Sequence, residues 1–249
     1  MPMPKATTNL PIARKPQDEP PHIFGRGMRD RLLMTLAANR RPLYVAELVE
    51  ALGSDQRKIR KTLAVLAKCG LVVRDKKSKS GRFVALNRMH PAYRELLTLL
   101  RAMERRCPQR RFGKPERVAE RLLLRNLKMP WNAGPFHVTD YDLIFYSKVR
   151  TRTLLAIAAS TTTDVTDIQR TFIEKKRSVW NAVNHWQREG VVRSVVDGRR
   201  RALELDPGWF AAKEVRAFLR ALRRATGEYD RFATLSTRRP DSPRFVAIR

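Results

Sequence analysis

The chain has 249 residues, of which 43% are hydrophobic, and a formal net charge of +28 from 52 Lys and Arg against 24 Asp and Glu. This length allows two domains of roughly 100 residues each, and no stretch reaches the roughly 20 apolar residues of a membrane-spanning helix. Two cysteines exclude a disulfide scaffold, and the N-terminal segment lacks the apolar core of a signal peptide, so we expect a cytoplasmic protein. A charge of this size attracts polyanions, of which nucleic acid is the commonest in the cytoplasm.

Three segments lack the pattern of a folded domain. Residues 1–22 contain six prolines and almost no periodic apolar residues, so we predict a disordered tail. Residues 227–249 are predicted to form a basic C-terminal tail. Residues 106–143 are predicted to form a basic connector with a helix near 115–128, in which arginines alternate with two glutamates and favour ion pairs over acid–base chemistry.

Between the tails, the sequence matches itself at a shift of about 120 residues. Residues 23–39 align with 144–160, residues 47–70 with 167–190, and residues 86–102 with 205–221. The apolar positions persist in each pair of segments, and the shift changes by single residues in loops, where changes of length are tolerated. The chain therefore contains two copies of one unit, which we predict to span 23–105 and 144–226.

Hydrophobic periodicity and helix end signals predict the same order in both copies: helix, short helix, helix, hairpin, helix. In the first copy we predict helices and hairpin strands over 28–39, 45–52, 55–69, 71–74, 83–86 and 91–105. In the second copy, Asp197-Gly198 predicts a two-residue turn between strands 191–196 and 200–205, and the last helix covers 209–225. The predicted fold class is mainly α with small β-hairpin wings (α+β).

Two helices joined by a short turn and followed by a hairpin describe the winged helix-turn-helix. Two segments resemble bacterial winged-helix regulators of the ArsR and MarR families: Phe145–Ala159 (FYSKVRTRTLLAIAA) is similar to their first helix, and Leu63–Arg74 (LAVLAKCGLVVR) to their exit from the recognition helix. The resemblance implies two winged helix-turn-helix domains in tandem. It does not extend to the paired cysteines of metal-sensing ArsR proteins, because Cys69 stands alone. The four histidines lack metal-ligand spacing, so no metal or cofactor is expected.

In a winged helix, the exposed face of the recognition helix enters the major groove. Arg reads guanine there, and Gln or Asn reads adenine. The predicted groove-facing residues are Gln56, Arg57, Lys58, Arg60 and Lys61 in the first copy and Lys176, Arg177, Ser178, Asn181 and Asn184 in the second. Trp180, between them, would either stack on nucleic acid or pack against another domain. The alternative interpretation of both sets is a solvated helix face.

The predicted wings are also basic. Their cations are Lys76, Lys77, Lys79 and Arg82 in the first copy and Arg199, Arg200 and Arg201 in the second. Short basic tips contact phosphates or place an Arg in the minor groove.

These patterns predict a sequence-specific double-stranded DNA-binding protein that acts as a transcriptional regulator. Three alternatives stay open: a replication or maintenance protein of a plasmid or mobile element, a non-specific architectural or RNA-binding protein, and a protein-binding adaptor. We expect no enzymatic activity, because the sequence has no phosphate-cradling glycine loop, nucleophile motif or acidic cluster. A homodimer through helices 91–105 and 209–225 is a further expectation.

Overall fold

The structure, a computed structural model, defines residues 22–25, 27–39, 41–74, 83–108, 141–160, 163–197 and 200–226. Within these residues the chain is mostly helical with small antiparallel sheets, which confirms the predicted α+β class. Residues 1–21 and 227–249 of the predicted tails, the tip of the first hairpin and most of the connector, including the helix near 115–128, lie outside the described residues. His22, which was predicted to belong to the disordered tail, is described, and its backbone N–H donates a hydrogen bond to Glu189 Oε2 at 3.0 Å.

The described part of the first unit is built from α1 (Met28–Asn39), β1 (Leu43–Tyr44), α2 (Val45–Leu52), α3 (Gln56–Lys68), β2 (Val72–Arg74), β3 (Phe83–Leu86) and α4 (Tyr93–Arg106). The predicted helices and hairpin are confirmed to within two residues at their ends. β3 lies between β1 and β2 in an antiparallel sheet. The sequence carries no signal for β1, because two residues are too few to show an alternating pattern.

The second unit repeats this order with α5 (Lys148–Ala159), α6 (Val165–Phe172), α7 (Lys176–Arg188), β4 (Val192–Asp197), β5 (Arg200–Leu205) and α8 (Ala212–Thr226). A single bridge between Thr163 and Leu203 takes the place of β1. Asp197 is the last residue of β4 and pairs with Arg200, so the prediction that Asp197 belongs to the turn is wrong. α8 begins three residues later than predicted, because residues 206–211 form turns.

The repeat extends to individual backbone conformations. Gly70 and Gly190 follow α3 and α7 with φ of 70° and 72°, in the left-handed region that glycine adopts without steric cost. Asn87 and Asp206 each accept, through Oδ1, a hydrogen bond from the backbone N–H two residues further on, at 3.0 and 2.9 Å. Equivalent sequence positions therefore adopt equivalent local structures.

Equivalent elements of the two units also meet each other. α4 packs against α8, and Phe24 stacks on its counterpart Phe145 with ring centroids 5.6 Å apart. Both rings contact Phe218 edge-on, and Arg29 Nη1 donates a hydrogen bond to the Leu143 carbonyl oxygen at 3.0 Å. The buried side chains of the two units form one continuous apolar cluster. The sequence predicted two units, and these contacts join their cores.

The contact between α4 and α8 corrects the surface expected to form a homodimer. Leu96, Leu99 and Leu100 of α4 and Phe218 and Leu219 of α8 are fully buried within one chain. A second copy would reach these side chains only by opening the core that joins the units. The apolar faces of both helices therefore serve a contact inside the chain.

Candidate nucleic-acid interface

α3 presents a cationic face to solvent. Its buried stripe is Ile59, Leu63 and Leu66, which recur at helical spacing and are fully buried in the first unit. The five predicted residues are all exposed: Gln56, Arg57, Lys58, Arg60 and Lys61. Burial of the stripe thus fixes the orientation of these side chains toward solvent.

The N-terminus of α3 is capped by Asp55. Its carboxylate accepts hydrogen bonds from the backbone N–H groups of Arg57 at 2.6 Å and Lys58 at 3.1 Å. These two amides are already satisfied, so a phosphate beside this turn would be held by side chains. α7 begins differently, because Lys175 at its N-cap makes no side-chain hydrogen bond to the helix.

α7 is oriented in the same way by the burial of Val179, Val183 and Trp186. Four of its five predicted residues are exposed and Ser178 is half-buried; the exposed ones are Lys176, Arg177, Asn181 and Asn184. The exposed face of α7 therefore has fewer cationic and more amide side chains than that of α3.

Trp180 links α7 to the second hairpin. Its ring is half-buried and packs against the core, and the Arg201 guanidinium on β5 lies over it, 5.9 Å from the centroid. A contact of this kind contributes about 0.5–1 kcal/mol at an exposed site. It holds Arg201, itself exposed, beside α7, so the hairpin and the helix form one surface.

The other wing residues are less completely described. Lys76, Lys77, Lys79, Arg82 and Arg199 lie outside the described residues. Arg200 is described only through its backbone, which pairs with Asp197 in the hairpin. The expected contacts of both wings with phosphate therefore stay predictions.

The turn between the second and third helices has one backbone shape in both units but two very different residues. Gly53 and Ile173 both adopt φ 56° and ψ 39°, and each donates its N–H to the carbonyl four residues earlier, of Val49 or Gln169. A β-branched residue in this left-handed region is strained. The Ile173 side chain is 94% exposed, so little burial offsets the strain. The sequence did not reveal this feature, because isoleucine signals a strand or helix rather than a turn.

Of the described groups with a perturbed pKa, Asp30 and His90 are buried, and His185 of α7 is half-buried. Burial raises the pKa of Asp30 to about 8, although its Oδ1 accepts a hydrogen bond from Phe24 N at 2.9 Å. Burial lowers the pKa of His90 and of His185 to about 4. Within the described ranges, no group of three or more His, Cys, Asp or Glu could hold a metal ion. The titrations of the buried Asp30 and His90 therefore bear on stability.

Four arginines of α8 had no predicted role. Arg216, Arg220, Arg223 and Arg224 line a cavity of about 610 Å³ at the C-terminal end of α5. Their spacing of four, three and one residues places them on one side of a helix, which is the pattern that would have identified them.

Comparison with protein-family models, with curated proteins and with solved structures found no match for this chain. Among the helices that the structure describes, none is both long and apolar enough to cross a membrane.

Proposed function

We propose that this chain is a sequence-specific double-stranded DNA-binding protein, without enzymatic activity, built from two winged helix-turn-helix units. α3 and α7 are the recognition helices, and the hairpins β2–β3 and β4–β5 are the wings. The observation that carries the proposal is that both helices bury an apolar stripe and expose polar or cationic side chains at equivalent positions of the repeat.

The charge of the two helices favours a phosphate-bearing partner over a protein. α3 contains five basic and no acidic residues, and α7 contains Lys176, Arg177 and Arg188 with no acidic residue. Lys is depleted in protein–protein interfaces, whereas each cation placed on a phosphate releases condensed counterions from nucleic acid. The exposed faces of α3 and α7, which carry positive and no negative charge on a chain of net charge +28, are therefore suited to DNA.

The two faces differ enough to read different sequences. Arg57 and Arg60 on α3 suit guanine O6 and N7, while Asn181 and Asn184 on α7 suit adenine N6 and N7. A shared core holds both helices on one body. The preferred site is then asymmetric, with two unlike halves, and the proposed role is transcriptional regulation in the cytoplasm.

The first test is selection of bound duplexes from a random pool by the full chain, which we expect to enrich one asymmetric site. The affinity for that site is then compared between Arg57→Gln/Arg60→Gln and a control that removes equal charge from exposed positions of α4 and α8, Arg94→Gln/Lys213→Gln. Each lost bidentate contact costs about 1–3 kcal/mol, so the α3 variant should bind the selected site at least tenfold more weakly than the control, with relaxed selectivity.

Neutralising Arg201 should act differently. Because a wing contacts the backbone, Arg201→Gln should weaken all duplexes similarly and reduce the salt dependence of binding. Failure to enrich any sequence, or equal weakening by the α3 and control variants, would contradict sequence-specific recognition. Preference for structured RNA over duplex in competition would instead support an RNA-binding protein.

A further inference from the structure

The second unit contains a cationic cavity to which the proposed DNA recognition assigns no role. It lies between the C-terminal end of α5, the strand β5 and the helix α8, and its volume is about 610 Å³. Ala158 and Ala159, which are half-buried, contribute apolar surface, and the arginines of α8 contribute charge. Small-molecule sites in proteins have volumes of roughly 300–1,000 Å³ and combine apolar walls with a few polar groups.

The charge of this lining is strongly one-sided. Among the described residues that line the cavity, Glu204 is the one acid, and its Oε1 accepts a hydrogen bond from Arg193 Nε at 2.5 Å. The end of α5 adds the partial negative charge of a helix C-terminus, about half an elementary charge. Arg216, Arg220 and Arg224 are exposed, and their three guanidiniums outweigh these groups, so the cavity carries a net positive charge.

The first unit shows that the fold does not need this arrangement. At the repeat shift of 119 residues, Arg216, Arg220, Arg223 and Arg224 correspond to Leu97, Arg101, Glu104 and Arg105 of α4. One arginine thus replaces a leucine and another replaces a glutamate, while both helices keep their buried apolar faces. Packing of the helix does not explain the extra cations of α8.

We infer that this cavity binds a small organic polyanion that carries at least two phosphate or carboxylate groups. Guanidiniums match both groups with paired N–H donors, and Ala158 and Ala159 would contact the carbon skeleton. A small molecule is favoured over the DNA backbone because the site is concave. No residue of α3 or α7 lines it.

The test uses the full chain with inorganic pyrophosphate and with citrate, at ionic strength held constant with NaCl, and measures binding by titration calorimetry. Arg220→Gln/Arg224→Gln removes two cavity charges. Arg101→Gln/Arg105→Gln removes the equivalent pair from α4 and is the matched control. Ala159→Phe keeps every charge and fills the cavity.

We expect at least one probe to bind the wild type and the control with one site per chain. Binding should weaken at least about tenfold in the cavity pair, since a hydrogen bond to a charged group is worth that factor or more. It should also weaken in Ala159→Phe. Thermal unfolding without probe checks that each variant folds. If Ala159→Phe does not fold, the comparison of Arg220→Gln/Arg224→Gln with its control still decides the test, because both cavity arginines are exposed.

Three results would overturn the inference: no binding of either probe, equal weakening in the two arginine pairs, or full binding by a folded Ala159→Phe. A greater loss of duplex affinity in the cavity pair than in the α4 pair would assign these arginines to DNA instead. Because the readout is binding of a small anion, failure of this inference leaves the proposed DNA-binding function unaffected.

Discussion

The left-handed turn residues allow a reciprocal exchange within one molecule: Ile173→Gly in the second unit and Gly53→Ile in the first. The two positions share φ, ψ and the helix-ending hydrogen bond, so the backbone provides the same environment. Space is available on both sides, since a Cβ added at Gly53 would meet nothing within 4 Å and Ile173 is almost fully exposed.

The expected magnitude follows from two opposing terms. The left-handed conformation costs an L-residue about 1–2 kcal/mol. Glycine opposes this gain by about 0.5–1 kcal/mol, because its greater conformational freedom stabilises the unfolded chain. Ile173→Gly should therefore raise the free energy of unfolding by about 0.5–1 kcal/mol, and Gly53→Ile should lower it by a similar amount.

Urea denaturation of both single variants and of the double exchange measures these changes. The double variant should lie close to the wild type, and Tm should shift by about 2–4 °C per kcal/mol for a chain of this size. Destabilisation by Ile173→Gly would refute the strain argument, because the side chain would then have to make contacts that its exposure denies. Unequal m-values would show that the unfolded state had changed instead.

Three further predictions concern the core. The folded pKa of Asp30, about 8, lies above its ordinary 3.8, so its contribution to stability is complete below pH 4 and is lost as pH rises to 8. Urea denaturation between pH 4 and 8 should show this loss in the wild type and not in Asp30→Asn. The folded pKa of His90, about 4, lies below its ordinary 6.5, so its contribution to stability is complete above pH 6.5 and is lost as pH falls to 4. His90→Asn retains an acceptor for the backbone N–H of Ala92, and its free energy of unfolding should fall less on acidification than that of the wild type. Phe24→Ala removes the ring stacked on Phe145 and should cost about 3–5 kcal/mol, while calorimetry of the wild type should show one transition for both units.

Each of these predictions has a contradicting outcome. A wild-type pH profile in Asp30→Asn, compared with the exposed control Glu50→Gln, would show that Asp30 does not titrate between pH 4 and 8. An unchanged acid loss in His90→Asn would assign that loss to other groups. Two separate unfolding transitions in the wild type would show that the joined core does not couple the units.

The elements with periodic sequence were predictable, and those held by pairing or packing were not. Ile59, Leu63 and Leu66 predicted both the extent of α3 and the face it exposes, because a stripe at helical spacing has one way to be buried. β1 consists of two residues and depends on pairing with β3, which no local pattern indicates. The repeat likewise predicted two units but not how they meet, since the contact of Phe24 with Phe145 joins residues 121 positions apart.

The candidate interface shows the same division. The cationic face of α3 could be predicted because the residues between the apolar positions of the stripe are polar or charged. The position of Trp180 under Arg201 could not, because it depends on the tertiary contact of a helix with a neighbouring strand. The arginines of α8 stand in the sequence at one-face spacing, but their meaning depends on the cavity that α5 and β5 leave beside them.

The contact of α4 with α8 has a consequence for how the chain can change. In an association of identical subunits every substitution appears on both sides of the axis, so a residue that suits one side is imposed on the other. Here the partners are encoded separately, and equivalent positions carry different residues: Gly53 corresponds to Ile173, and Leu97 and Glu104 of α4 correspond to Arg216 and Arg223 of α8. Covalent linkage also makes the pairing independent of concentration, because each half is always tethered to its complement.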